Sequence, residues 1–79
     1  MNLVFERNKK SAIKAQACFV LPTFNEADNI RNIIEAIFEQ QVNVPEYQFK
    51  VLVVDDNSSD GTQQIVNQLI EKYDSLYLI

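Results

Sequence analysis

The chain has 79 residues, 47% of them hydrophobic, with one glycine and two prolines, which bounds it to one domain and excludes disorder and low complexity. Its formal charge of −4 is uneven: residues 1–17 carry four basic groups against one acidic, and residues 18–79 three basic against ten acidic. The acidic body speaks against nucleic acid, whose phosphates need clustered Lys and Arg, and one cysteine with no histidine excludes an internal disulfide and a Cys/His zinc site.

Residues 1–16 show no clear periodicity, and Leu3-Val4-Phe5 is too short to assign. They read as a basic, solvated N-terminal leader, because four charges beside no apolar anchor attract an anionic membrane surface only weakly. The apolar run at residues 17–21 is far short of the ~20 residues that span a bilayer, and nothing near Met1 resembles a secretory core. A cytoplasmic setting follows by default.

Residues 17–21, Ala17-Cys18-Phe19-Val20-Leu21, form the first expected buried strand, stopped by Pro22, which cannot donate to a ladder. Pro22-Thr23-Phe24-Asn25 is then a loop. Asn25 is the expected N-cap of a helix carrying Glu26 and Asp28 in its first turn, where the dipole favours acids. Ile30, Ile33, Ile34, Ile37 and Phe38 recur at helical spacing, and this helix should end near Gln41. The second strand is expected at 49–54. Ser59 or Asp60 should cap a second helix with the stripe Ile65, Val66, Leu69, Ile70 and Tyr73, and residues 76–79 read as a third strand.

The pattern is βαβαβ, which predicts an α/β fold with a parallel sheet and right-handed crossovers. In simple strand order both helices cover one face and leave the other bare. Because a soluble monomer rarely exposes so large an apolar patch, the chain is expected to be part of something larger that covers this face, or else to self-associate.

Adjacent strands one and two would bring Pro22-Thr23-Phe24-Asn25-Glu26 beside Asp55-Asp56-Asn57, at the carboxyl ends where open α/β sheets bind ligands. An aromatic ring, a proline and several carboxylates suit a nucleotide base, offering a surface to stack on and acceptors for ring N–H groups. The alternative is that Asp55 and Asp56 only cap a turn and Phe24 belongs to the core. A calcium-loop reading, Asp56-x-Ser58-x-Asp60-Gly61, fails at its twelfth position, which is Asn67 instead of Glu, and a strand-like run replaces the helix required before it. A phosphoacceptor receiver domain also has paired acids after its first strand, but leaves Pro22 to Glu26 without a role.

The segments Val20-Leu21-Pro22-Thr23-Phe24-Asn25-Glu26 with Asn29-Ile30, and Val53-Val54-Asp55-Asp56-Asn57-Ser58-Ser59-Asp60-Gly61-Thr62, resemble the family-2 glycosyltransferases of the GT-A, Rossmann-like fold. Their wording looks most like the polyprenyl-phosphate sugar synthases, such as dolichyl-phosphate mannose synthase. The resemblance covers residues 17–79, and implies that these form the N-terminal nucleotide-binding portion of a longer catalytic domain, in an enzyme either cytoplasmic or peripheral at the membrane. It implies a transferase that moves a hexose from a GDP- or UDP-linked sugar to an acceptor such as a polyprenyl phosphate, with Pro22, Phe24, Glu26, Val54 and Asp56 at the donor nucleotide. Asp56 matches the aspartate that bonds the base, while Asp55 matches one that holds the loop. Phe24 stands where the family usually has tyrosine, leaving stacking without a hydroxyl. The family's Asp-x-Asp motif, which holds Mg²⁺ or Mn²⁺ against the donor diphosphate, is expected beyond Ile79, so this portion should not catalyse transfer alone. The rival reading is a non-catalytic nucleotide-binding module completed by self-association.

Overall fold

The computed structural model describes residues 2–6, as backbone, and residues 15–79. Three strands, β2 (Ala15–Thr23), β3 (Tyr47–Asp55) and β4 (Leu76–Leu78), form the expected parallel sheet. Helices α1 (Ile30–Glu39) and α2 (Thr62–Ile70) occupy the two crossovers, and a short 3-10 turn, Gln40–Asn43, follows α1. A fourth strand, β1 (Asn2–Glu6), pairs antiparallel with β2, giving the order β1-β2-β3-β4. It contains the Leu3-Val4-Phe5 segment left unassigned by the sequence. An isolated triplet has too short a pattern to read, and the neighbouring β2 supplies the pairing. Arg7, Lys9, Lys10 and Lys14, the basic groups of the expected leader, lie outside the described residues.

Strand β2 runs through Pro22 to Thr23 instead of stopping at Leu21. The reason lies in which side the missing donor falls. The Thr23 carbonyl accepts from the Asp56 N–H at 2.8 Å, so Thr23 faces β3 and Pro22, one residue earlier, faces the opposite edge. There β1 has already run out, its pairing reaching only Asn2 opposite Val20. Proline is tolerated at such an edge position.

Alternate residues of the strands meet the helices. Ala17, Leu21, Phe49, Val51, Val53 and Leu76 are buried in one core with Ile30, Ile34 and Ile37 of α1 and Val66 and Leu69 of α2. Ile33, expected in the stripe, is 39% exposed, because the buried arc of this ten-residue helix is narrower than the apolar one. Both helices lie on the same face. Arg31 Nη2 donates to Gln68 Oε1 at 3.1 Å, and Phe38 stacks on Tyr73 with centroids 4.3 Å apart. A Lys72–Glu35 pair at 3.5 Å is exposed and adds little. Gln41, where α1 was expected to end, closes the return into β3. Its amide donates to the Val44 and Tyr47 carbonyls, and its Oε1 accepts from the Phe49 N–H at 2.7 Å.

The other face of the sheet carries no helix among the described residues. It is not uniformly apolar as expected. Cys18, Val20, Pro22, Leu52 and Val54 occupy the carboxyl-end half, whereas Gln16, Gln48 and Lys50 stand at the amino end beside Tyr77, 45% exposed, whose ring lies 5.9 Å from Lys50 Nζ. The hydrophobic runs mask this division because they count the polar residues at the strand start as flanks.

The two helix starts differ from expectation. Asn25 does not cap α1: a turn intervenes, with the Asn29 and Ile30 N–H groups on the Glu26 carbonyl, and Asn29 holds the cap position without a side-chain bond. Glu26 and Asp28 therefore precede the helix instead of lying in its first turn. At α2 the cap position belongs to Gly61, at φ 96, although Asp60 Oδ1, one residue earlier, does accept the Thr62 N–H at 3.1 Å. A Cβ at Gly61 would meet only Gln64 Oε1 at 4.0 Å, so the space is open and the backbone alone demands glycine. Gly61→Ala is expected to cost about 1 kcal/mol through left-handed strain, read as a lower urea midpoint at unchanged slope.

Candidate functional site

The ends of β2 and β3 are adjacent, with Pro22 in register with Val54 and Thr23 with Asp55. The segments beyond them, 23–27 and 55–62, are stitched together by side chains. Asp55 is the centre. Its Oδ1 accepts from the Thr23 hydroxyl at 2.7 Å and the Ser58 hydroxyl at 2.6 Å, and its Oδ2 from the Ser58 N–H at 2.8 Å and Gln63 Nε2 at 2.7 Å. Desolvation pushes this carboxyl up, but the four donated bonds, from the Ser58 and Thr23 hydroxyls, the Ser58 N–H and Gln63, outweigh it and hold the group well below the usual carboxylate range.

Asp60 plays the same part further along. The Thr62 hydroxyl and N–H donate to its Oδ1, and the Ala27 N–H donates to its Oδ2 at 3.0 Å. These donors, the Thr62 hydroxyl first, lower its carboxyl below the ordinary value. Thr62 in turn accepts from the Glu26 N–H at 3.0 Å through its own buried hydroxyl oxygen. Asn25 bridges the segments twice: its N–H donates to Ser58 Oγ at 2.8 Å, and its Oδ1 accepts from the Ser59 N–H at 3.0 Å.

Among the described residues two that are not glycine sit at positive φ, and both belong to these segments: Asn25 at 51° and Asn57 at 56°. Asparagine is among the few residues that adopt this conformation at modest cost. The reversal at Asn57 returns Ser58 onto Asp55, and the one at Asn25 separates Phe24 from Glu26. The residues expected from the sequence at a donor nucleotide are all at least partly accessible, as are Asn25, Asn57, Ser59 and Asp60. Phe24 is 60% exposed and Val54 38%, Pro22 and Asp56 are exposed, and Glu26 is half-buried. The Asp56 N–H is bound to the Thr23 carbonyl, but its carboxylate, like that of Glu26, has no hydrogen-bond partner among the described residues. Neighbouring acids thus differ completely: Asp55 is consumed by the loop and Asp56 is presented to solvent.

Sequence reasoning missed the partners that make this separation. Thr23, Ser58, Thr62 and Gln63 each donate to an aspartate, and Ser and Thr two to three residues from Asp are the local signal for such loops.

The residues present do not fit the divalent metal that the family resemblance implies. Among the described residues no three Asp, Glu, Cys or His side chains converge on a point, and Asp55 and Asp60 already accept four and three hydrogen bonds. A shallow cleft lined by Gln16, Gln48, Phe49, Lys50, Ser75 and Tyr77 opens at the amino end of the strands, away from these loops.

Residues 18–79, which contain both loops, β3, β4 and most of β2, match the family described as Glycosyl transferase family 2. The chain belongs to that family. Among known members, glycosyltransferase AglE of Haloferax volcanii is 38% identical over 60 residues, which is 76% of this chain and 19% of that protein. The probable glycosyltransferase YdaM of Bacillus subtilis is 37% identical over 60 residues, covering 14% of its length. The poly(ribitol-phosphate) beta-glucosyltransferase of Bacillus spizizenii is 30% identical over 60 residues, covering 9%. This family-2 chain therefore spans less than a fifth of each of these relatives. No solved structure matches it. Its α/β architecture is that of the N-terminal part of a family-2, Rossmann-like domain, and no helix among the described residues is long and apolar enough to cross a membrane.

Proposed function

We propose that these residues bind the nucleotide of a nucleoside-diphosphate sugar, as the donor-binding portion of an enzyme that transfers the sugar to an acceptor. The observation that supports this most is the division of labour at the sheet end. Asp55 is tied down by four donors, whereas the exposed Asp56 carboxylate has no hydrogen-bond partner among the described residues, and neither has that of Glu26, on the adjoining loop with the exposed ring of Phe24. A free acceptor next to an apolar surface at the carboxyl ends of parallel strands is what a base requires: stacking on one side, and a carboxylate to take its ring N–H. Family membership and the glycosyltransferases among the relatives support the reaction class. A polyprenyl-phosphate acceptor is the finer form of the proposal; it rests on the wording of the Val20-to-Glu26 and Val53-to-Thr62 segments.

The test is calorimetric titration of GDP and UDP into the full chain and into its Asp56→Asn variant. The amide presents N–H donors where the base also donates. Asp56→Asn is expected to weaken binding by about 5- to 150-fold, from roughly 1–3 kcal/mol for a charged acceptor on a base edge. Its urea midpoint should stay within about 0.5 kcal/mol of the unaltered chain, because the carboxylate holds nothing in place. Equal affinity in the two proteins removes Asp56 from the base-binding role.

A further inference from the structure

We infer that Asn25 is the positioning residue of this nucleotide site, acting through its left-handed backbone and its side-chain oxygen together; the inference rests on the nucleotide-binding reading above. Asn25 lies between Phe24 and Glu26 and makes no claim on the base itself. Its φ of 51° reverses the chain between those two residues. The reversal leaves Phe24 60% exposed, while the Glu26 N–H turns inward onto Thr62 Oγ1 at 3.0 Å.

The same residue carries two of the bonds that cross between the loops. Its N–H donates to Ser58 Oγ at 2.8 Å, whose hydroxyl proton is committed to Asp55 Oδ1 at 2.6 Å, and its Oδ1 accepts from the Ser59 N–H at 3.0 Å. Ser58 and Ser59 follow Asp56 and the second left-handed asparagine, Asn57, by at most three positions. Asn25 thereby fixes Phe24 and Glu26, on one loop, against Asp56 on the other. Ser59 N–H has no other described acceptor, and Asn25 Nδ2 has no described partner, so the oxygen of the side chain is the part that works. Placement of this kind changes affinity by changing the fraction of molecules whose loops are already assembled.

Three substitutions separate the two contributions. Asn25→Asp keeps an oxygen acceptor and a tolerance for positive φ. Asn25→Gly keeps the backbone freely but removes the acceptor, and Asn25→Ala removes both. Titrating whichever of GDP and UDP the unaltered chain binds, Kd should stay within about threefold for Asn25→Asp, rise about fivefold for Asn25→Gly and about tenfold or more for Asn25→Ala. The urea midpoint of each variant is measured alongside, and the glycine variant, free of strain, keeps the test valid where the alanine variant does not fold. The inference is overturned if Asn25→Gly binds as well as the unaltered chain, if Asn25→Asp binds as poorly as Asn25→Ala, or if the midpoints fall while the affinities of the folded variants stay equal. If the unaltered chain binds neither nucleotide, the nucleotide-binding reading itself falls, and this inference with it.

Discussion

Asp55→Asn is expected to destabilise the chain by about 2–3 kcal/mol, a shift of about 10–20 °C in thermal midpoint for a domain of this size. Both carboxylate oxygens are used, each by two donors. An isosteric amide turns one oxygen into a donor, so two of the four donors then face another donor, and the buried Thr23 or the Ser58 N–H is left unpaired. The neighbouring Asp56→Asn has no such effect, and thermal denaturation of the two variants side by side is the measurement. Equal midpoints would show that Asp55 does not hold the loops.

The same carboxylate sets an acid limit. Its folded-state pKa lies below the ordinary 3.8, so between those values the unfolded chain takes up a proton that the folded chain refuses. The stabilisation is present in full above pH 3.8 and drains away as the pH falls through the lower, folded value. Asp60, also lowered, acts in the same direction. Asp55→Asn should therefore flatten the stability curve below pH 3.8 as well as lowering it at neutral pH.

Ile34→Ala is expected to remove most of the chain's stability at room temperature. Ile34 is 0% exposed, at the centre of the interface between α1 and the sheet. Truncation of a fully buried isoleucine costs about 2–5 kcal/mol, and a core in a chain this short supplies only roughly 3–5 kcal/mol. Ile33→Ala, one residue away and 39% exposed, should change stability by under about 1 kcal/mol. Urea unfolding of both variants followed by far-UV circular dichroism separates the outcomes: an Ile34→Ala midpoint as high as that of Ile33→Ala would show that Ile34 does not carry the core.

The parallel sheet was legible because Val51, Val53 and Leu21 lie in β-branched or aliphatic runs too apolar for an exposed element, and the helices because Ile30, Ile34 and Ile37, and Val66 and Leu69, keep one face. Three features were not legible, each for a physical reason. Asn25 has a side chain suited both to capping a helix and to a left-handed turn, and only the position of Ser58 and Ser59, some thirty residues on, decides between them. Pro22 reads as a strand terminator unless the edge its nitrogen faces is known, which depends on where β1 ends. Strand β1 itself has no alternation to read, and exists through its pairing with β2. At the candidate site, the residue types pointed to a base-binding surface, but the contrast between Asp55 and Asp56 is a matter of partners. Two adjacent identical letters acquire opposite environments only once Thr23, Ser58 and Gln63 are brought around one of them.

The strand order β1-β2-β3-β4 follows the order of the chain. No strand has to be threaded between two others; each joins an edge already formed by the one before it. Assembly can then proceed by successive addition as the chain leaves the ribosome, with few long loops to close at any stage. The loops are the exception. Thr23 to Ala27 wait for Asp55, Ser58, Asp60 and Thr62, so the segment holding Phe24 and Glu26 gains its shape only after synthesis has passed the start of α2. The pairing of β1 with β2 needs nothing beyond Thr23, whereas the surface at the ends of β2 and β3 needs residues up to Thr62.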